Sequence, residues 1–454
     1  MNSARHRFVV GFRRAKVSCG QTIPGRVMMS RREWIVVFLL VVSVLINYVD
    51  RSNLSLAVPI LERQFSLSSL QAGALLSAFF WTYALAQLFG LVGWLADRFD
   101  AGWVLFAGFL MWSLATAATG LAASFTALFV LRLMLGLGES VAYPCYSRVF
   151  AAMPQQLRGR ANALIDAGCK LGPAAGALVG GVMLVHLGWR WMFVTLGLGA
   201  LAWLPLWYVA MPRGETSGSK HELPEEPQSA RDGPPDDGSQ PSIAKMLRLP
   251  CAWGSIVGHF CGNYFYYFLL AWLPTYLIQE QHMSTIAMSQ LTSAVFAVIA
   301  GSSLVCGFLS DRLIAGGASP SIVRRTFVSG GLVLASALLP LSLFHWSRPI
   351  ALGLLMIASM GEGAFSSNLW AITQTLAGPA MAGRWSSLQN GVANFSGIVG
   401  PWLTGYIVQR WGSARIAIAV TGVIALIGGL SWGLLVRRVE PVKWEEIGKK
   451  IRAA

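Results

Sequence analysis

The sequence predicts an all-α integral membrane protein, with twelve transmembrane helices arranged as two pseudo-symmetric six-helix bundles. Three observations carry that reading. The 454 residues are 55% hydrophobic and only 12% charged, where a soluble domain is about 25% charged. Twelve stretches are long and apolar enough to cross a bilayer, which takes about 20 residues each: roughly 34–58, 71–96, 102–122, 126–147, 160–184, 190–210, 251–278, 287–309, 326–346, 350–376, 384–408 and 414–436. Short motifs from the first six stretches recur in order in the last six.

The chain opens with a basic segment, 1–33, expected on the cytoplasmic side. It lacks an apolar core followed by a small-residue cleavage site, so it does not read as a secretory signal. A start at Met28 or Met29 is an alternative reading of this end. The net charge of +15 follows topology. With both termini inside, 27 of the 35 Lys and Arg fall on the cytoplasmic side and five on the other, while Arg51, Arg132 and Lys170 fall within spans. This asymmetry is the positive-inside pattern. It removes nucleic acid as the explanation of the charge. The six cysteines are scattered without metal-ligand spacing and read as small buried residues. No metal or cofactor is expected.

The N-terminal bundle is expected over 34–211 and the C-terminal bundle over 251–437, with a cytoplasmic tail at 438–454. Between the bundles, 212–250 holds seven prolines and seven acidic residues. Such a composition cannot bury apolar surface and predicts a flexible cytoplasmic linker. Across it, GWLADR (93–98) matches GFLSDR (307–312), Asn47-Tyr48 matches Asn263-Tyr264, and Pro59 matches Pro274. Gly138-Glu139 and Gly172-Pro173 likewise match Gly361-Glu362 and Gly400-Pro401. Two six-span repeats with a long central loop are the organisation of rocker-switch secondary transporters, whose sites lie near the bilayer midplane between the halves.

Charges inside spans are expensive and mark function. Asp50 and Arg51 are the only charges between Trp34 and Leu61. Adjacent residues on a helix do not face each other, so the two address different neighbours. Tyr48 and Arg51, three apart, share a face. Arg51 offers a planar, permanently charged fork that suits a carboxylate. Arg132 and Glu139, seven apart, share a face of the fourth span. Lys170 lies in the fifth span with Asp166 one turn before it. Two readings stay open for Lys170: a second cavity cation favouring an extra carboxylate, or a structural pair with Asp166. At the repeated loops, Asp97 and Arg98, and Asp311 and Arg312, can bond to neighbouring helix ends and latch one state of a rocking motion.

The two loops resemble the signature of the major facilitator superfamily, although FDAGW follows the first Arg in place of the usual glycine and basic pair. Together with NYVDRSNLSLAVP, SAFFWTYALAQLFG, LRLMLGLGES and WLPTYL (272–277), they resemble its anion:cation symporter family. That group includes carriers of sugar acids, tartrate, phthalate, sialic acid and glutamate. The resemblance implies Arg51 as substrate anchor, Asp50 and Glu139 as proton-coupling sites assisted by Arg132, and Tyr83 as a substrate contact. It also implies that Ser367, Trp370 and Asn390 contact hydroxyls or carboxylate; interhelical hydrogen bonding is the other reading of the Ser and Asn. Tyr48 and Lys170 complete the expected substrate set. Glu362, the repeat partner of Glu139, is either a second titrating site or inert, and His259 reads as structural.

No nucleophile–base arrangement or phosphate-cradling loop is legible, so the chain is not expected to be an enzyme. The expected function is proton-coupled uptake of a small organic anion across a bacterial inner membrane by alternating access. The expected partners are that anion, protons and the lipid bilayer, with the chain acting as a monomer. The rivals are a proton-coupled exporter of the same fold and a non-transporting membrane sensor.

Overall fold

A computed structural model describes residues 30–88, 91–151, 153, 155–211, 242–341 and 347–444. The basic segment up to residue 29, most of the acidic stretch and the last ten residues of the tail lie outside the described residues.

The N-terminal half comprises α1 (Arg31–Phe65), α2 (Ser69–Leu88), α3 (Leu91–Arg98), α4 (Ala101–Thr119), α5 (Phe125–Ser140), α6 (Ala142–Ala151), α7 (Gln155–Ala200) and α8 (Trp203–Ala210). After the short α9 (Ile243–Met246), the C-terminal half comprises α10 (Pro250–Gln279), α11 (Thr285–Ala315), α12 (Pro320–Leu341), α13 (Arg348–Asn394), α14 (Ser396–Trp411) and α15 (Ala414–Leu430), ending in a π-helical turn at Ser431–Leu435. Two of these run through a reversal of direction. Gly188 (φ 76°, ψ 165°) breaks α7 and Gly378 (φ 63°, ψ 176°) breaks α13. Both backbone conformations suit a residue without Cβ. Each break separates two predicted spans.

Capping explains several helix starts. Ser30 and Glu33 form a reciprocal capping box at α1. Asp100 caps α4 by accepting from the Gly102 and Trp103 amides at 2.8 and 3.2 Å. The departure of the first signature loop from its usual form therefore supplies a helix cap. Ser242, inside the stretch expected to be flexible, caps α9 through the Lys245 amide. Met246 and Leu249 of that stretch pack with the C-terminal core, so its last residues are structured.

Among the described residues, eight helical segments are long and apolar enough to span a membrane on their own. One of them, Arg160–Ala210, covers two predicted spans. The predicted spans outside this set are 71–96, 251–278 and 384–408.

Helices without a hydrophobic drive to associate in lipid use small residues for close approach. Gly168, Gly172, Gly176 and Gly180 form a ladder along one face of α7 against α1. A Cβ added there would lie 2.7 Å from Val44, 2.3 Å from Tyr48, 2.2 Å from Ser52 and 2.5 Å from Asn53, respectively. The two helices run parallel and fix each other's register. Between the halves, α2 meets α14 in the same way: a Cβ on Gly73 would lie 2.5 Å from the Pro401 carbonyl oxygen.

The contacts between halves show which side is closed. At the ends of α1 and α10, Gln279 donates to Glu62 at 2.7 Å. Nearby, the Leu70 amide donates to Gln409 at 3.1 Å. On the opposite membrane face, which carries the described ends of the chain, the halves part around a cavity.

Candidate functional site

The cavity has a volume of about 1230 Å³ and lies between the two halves. Val92, Ser147, Asn162 and Arg384 line it near its open end. All seven residues expected to meet substrate line it: Tyr48, Arg51, Tyr83, Lys170, Ser367, Trp370 and Asn390. The N-terminal half contributes the first four and the C-terminal half the last three.

Arg51 is the centre of the N-terminal wall. Its guanidinium carbon lies 4.6 Å from the Tyr48 ring, 4.7 Å from Phe79 and 4.6 Å from Tyr83. Cations are attracted to aromatic faces at this range, most strongly when desolvated. The rings hold the planar group without neutralising it. Arg51 Nε donates to Glu139 Oε2 at 2.8 Å, and both residues are buried. Nη2 of Arg51 makes no hydrogen bond within the protein, nor does Glu139 Oε1. In the structure, Arg132 reaches the backbone carbonyl of Asp50 at 3.5 Å. Asp50, Arg51, Arg132 and Glu139 thus form one buried group between α1 and α5, two cations and two acids, of which Arg51 alone borders the large cavity.

Lys170 combines its two open readings. It lines the cavity, pairs with Asp166 at 2.9 Å, and donates to Ser303 of the C-terminal half at 2.7 Å. Ser367 donates to the Ala364 carbonyl at 2.7 Å and accepts from Asn368 at 2.9 Å. Trp370 stands edge-on to His259 with centroids 5.2 Å apart. His259 is buried, lines the cavity, and lies 3.4 Å from Gln389 through Nδ1.

Other lining residues escaped the sequence reading. Asn263, Tyr266 and Tyr267 stand on the same face of α10 as His259, and Tyr267 donates to Asn394 at 2.9 Å. The spacing His259, Asn263, Tyr266 is that of one helical face, so this signal was present. Tyr143 also lines the cavity, as does Glu362, which the sequence left open between a second titrating site and an inert group. Of the residues expected to latch the rocking motion, Arg98, Asp311 and Arg312 are not among those that line the cavity. Arg98, Asp311 and Arg312 are exposed at helix ends, and the Asp97 side chain lies outside what is described.

Residues 40–401 match the Major Facilitator Superfamily. The chain is 33% identical over 423 residues to a chloroplastic ascorbate transporter of Arabidopsis thaliana, covering 89% of this chain and 74% of the relative. It is 29% identical over 428 residues to a D-galactonate transporter of Escherichia coli, covering 91% and 97%. In structure it resembles a bacterial homologue of the human lysosomal transporter Spinster in an inward-facing, occupied conformation. That match has a TM-score of 0.74 at 19% identity and covers 90% and 98% of the two chains. The chain belongs to the Major Facilitator Superfamily, a family of membrane transporters rather than enzymes, and its relatives include transporters of anions and sugar acids.

Proposed function

We propose that this protein is a proton-coupled symporter that takes up a small organic anion, a sugar acid or related carboxylate, by alternating access. Its setting is a bacterial inner membrane with both termini cytoplasmic, and the cavity opens inward in the conformation described above. The observation that carries the proposal is the Arg51–Glu139 pair, with Arg51 bordering the cavity while Glu139 lies behind it.

One guanidinium cannot give its best hydrogen-bonding edge to two carboxylates at once. A proton on Glu139 weakens its hold on Arg51 and frees the guanidinium for a substrate carboxylate. Desolvated charge needs a partner, so the anion without the proton, or the proton without the anion, leaves a buried imbalance. Loading both together is favoured, and so is releasing both. Asp50 and Arg132 behind the pair offer a second proton site by the same logic. The rings of Tyr48 and Tyr83 orient Arg51, while Ser367, Trp370 and Asn390 meet the rest of the substrate. Asp97, Arg98, Asp311 and Arg312 serve the opposite closed state as latches.

The test is uptake of radiolabelled galactonate, glucarate, glucuronate, tartrate and phthalate into proteoliposomes, with and without an inward proton gradient. Wild type is expected to accumulate at least one acid under the gradient. Glu139→Gln is expected to lose accumulation while keeping counterflow exchange. Gradient-independent equilibration unaffected by Glu139→Gln would sink the coupling.

A further inference from the structure

The cavity has a second charged pole, and its sign is not the one that a free lysine would give. Lys170 meets Asp166 at 2.9 Å and Ser303 at 2.7 Å. Ser303 also accepts from Ser366 at 3.2 Å, and Ser366 lies one turn beyond Glu362 on α13. Close packing holds this arrangement. A Cβ on Gly363 would lie 1.9 Å from Ser302 Oγ, so α13 rests directly on α11 at this level.

Glu362 is 3% exposed and lines the cavity, and its Oε2 makes no hydrogen bond within the protein. The Lys170–Ser303 and Ser366–Ser303 hydrogen bonds tie the Lys170 ammonium to the turn of α13 that follows Glu362. Among the described residues, the elements around it supply no other cation: α10 presents Tyr266 and His259, α11 presents Ser302 and Ser303, and α12 presents Gly331 and Ala335. The pole therefore sets one ammonium against two carboxyl groups. With Glu362 ionised it is net negative. With Glu362 protonated it is neutral, because Asp166 still answers Lys170. Neither state leaves a cation for a second substrate carboxylate. Arg384, the other cation on the lining, is exposed near the open end and is not free either.

The pole is also set at a useful distance. Gly168 packs on Val44 and Gly172 on Tyr48, which puts Lys170 level with α1 about five residues before Arg51. At 1.5 Å per residue this is about 7–8 Å along the helix axis, comparable to the length of a sugar acid. A substrate anchored at Arg51 by one carboxylate brings its far end to Glu362 and Lys170. A hydroxyl there can donate to the Glu362 carboxylate; a carboxylate there meets like charge or no partner.

We propose that Glu362, set against the Lys170–Asp166 pair, is a specificity residue that selects hydroxylated monocarboxylates, of the aldonate or uronate class, over dicarboxylates. This rests on the organic-anion reading above and narrows it.

The experiment is calorimetric titration of the purified full chain with two matched pairs, D-gluconate with D-glucarate and D-galactonate with galactarate. The pH is chosen so that both diacid carboxylates are ionised. Wild type is expected to bind the monoacid of at least one pair more tightly by about tenfold or more, which corresponds to about 1.4 kcal/mol. Glu362→Gln is expected to lower the ratio by removing the like charge that a second carboxylate meets, without abolishing it, because Asp166 still answers Lys170. Asp166→Asn, at an exposed position where folding is not at stake, is expected to move the ratio the same way by releasing Lys170. Equal or tighter diacid binding by wild type would overturn the proposal, as would an unchanged ratio in both variants. Binding of neither class by wild type would instead overturn the organic-anion reading, and this inference with it.

Discussion

Arg51 on α1 and Glu139 on α5 meet at 2.8 Å in the interior of the N-terminal half, with the guanidinium facing the cavity between three aromatic rings. The carboxylate that neutralises the anchor is thus buried behind it, out of contact with incoming substrate. This geometry makes Glu139 a competitor for the group the substrate needs.

Arg51→Lys is not a conservative change here. A lysine ammonium is a compact point charge that cannot stack flat among three rings or offer a planar fork. Binding of any acid that wild type recognises is expected to weaken by more than about tenfold, or roughly 1.4 kcal/mol. Calorimetric titration of the purified variant checks this. An affinity equal to that of wild type would show that Arg51 does not hold the substrate.

Gly176→Ala tests the packing that fixes the wall. The added methyl would sit 2.2 Å from Ser52 Oγ and 3.0 Å from the Val49 Cα, which is backbone and cannot rotate away. Overpacking of this kind costs about 1–3 kcal/mol. A lowered midpoint in thermal unfolding of the detergent-solubilised variant is expected, together with weakened substrate binding as α1 shifts. An unchanged midpoint would mean that α1 and α7 are less tightly coupled than their spacing implies.

Asn390→Cys tests which side the cavity faces. Asn390 lines the cavity, and the route to it runs from the face carrying the chain ends. A membrane-impermeant maleimide is expected to label the new thiol from that face and not from the other, where Gln279 and Glu62 close the halves. A transported acid is expected to slow the labelling. Equal labelling from both faces would contradict a single closed gate.

The sequence carried much of this. Two charges side by side in one apolar run marked α1 as functional, because nothing in a lipid-facing helix accounts for their cost. The repeat of short motifs placed the cavity between halves, and residues from both halves line it. The interaction of Arg51 with Glu139 was not legible, because it depends on the rotation of α5 about its axis relative to α1, which no spacing within one helix specifies. For the same reason Lys170 stood open between two readings, which the contacts to Asp166 and Ser303 combine. The glycine ladder of α7 and the His259, Asn263, Tyr266 face of α10 were visible as helical periods, but their partners were not. The tail of the acidic stretch was read by composition; Met246 and Leu249 pack locally in spite of it.

The pH dependence of substrate affinity has a definite sign. If the protonated state of Glu139 is the one that frees Arg51, then substrate binds more tightly as pH falls, by up to about tenfold per pH unit for one linked proton. In Glu139→Gln this slope is expected to flatten. Affinity measured by calorimetry across a series of buffers at several pH values checks it, and a rise in affinity with pH would reverse the argument.

The most direct measurement is the proton itself. An acid that wild type binds is added to the purified protein in a weakly buffered solution with a pH indicator, away from the acid's own pKa. Displacement of Glu139 from Arg51 predicts uptake of about one proton for each anion bound, absent in Glu139→Gln. Substrate binding with no proton uptake, or with the same uptake in Glu139→Gln, would contradict the account.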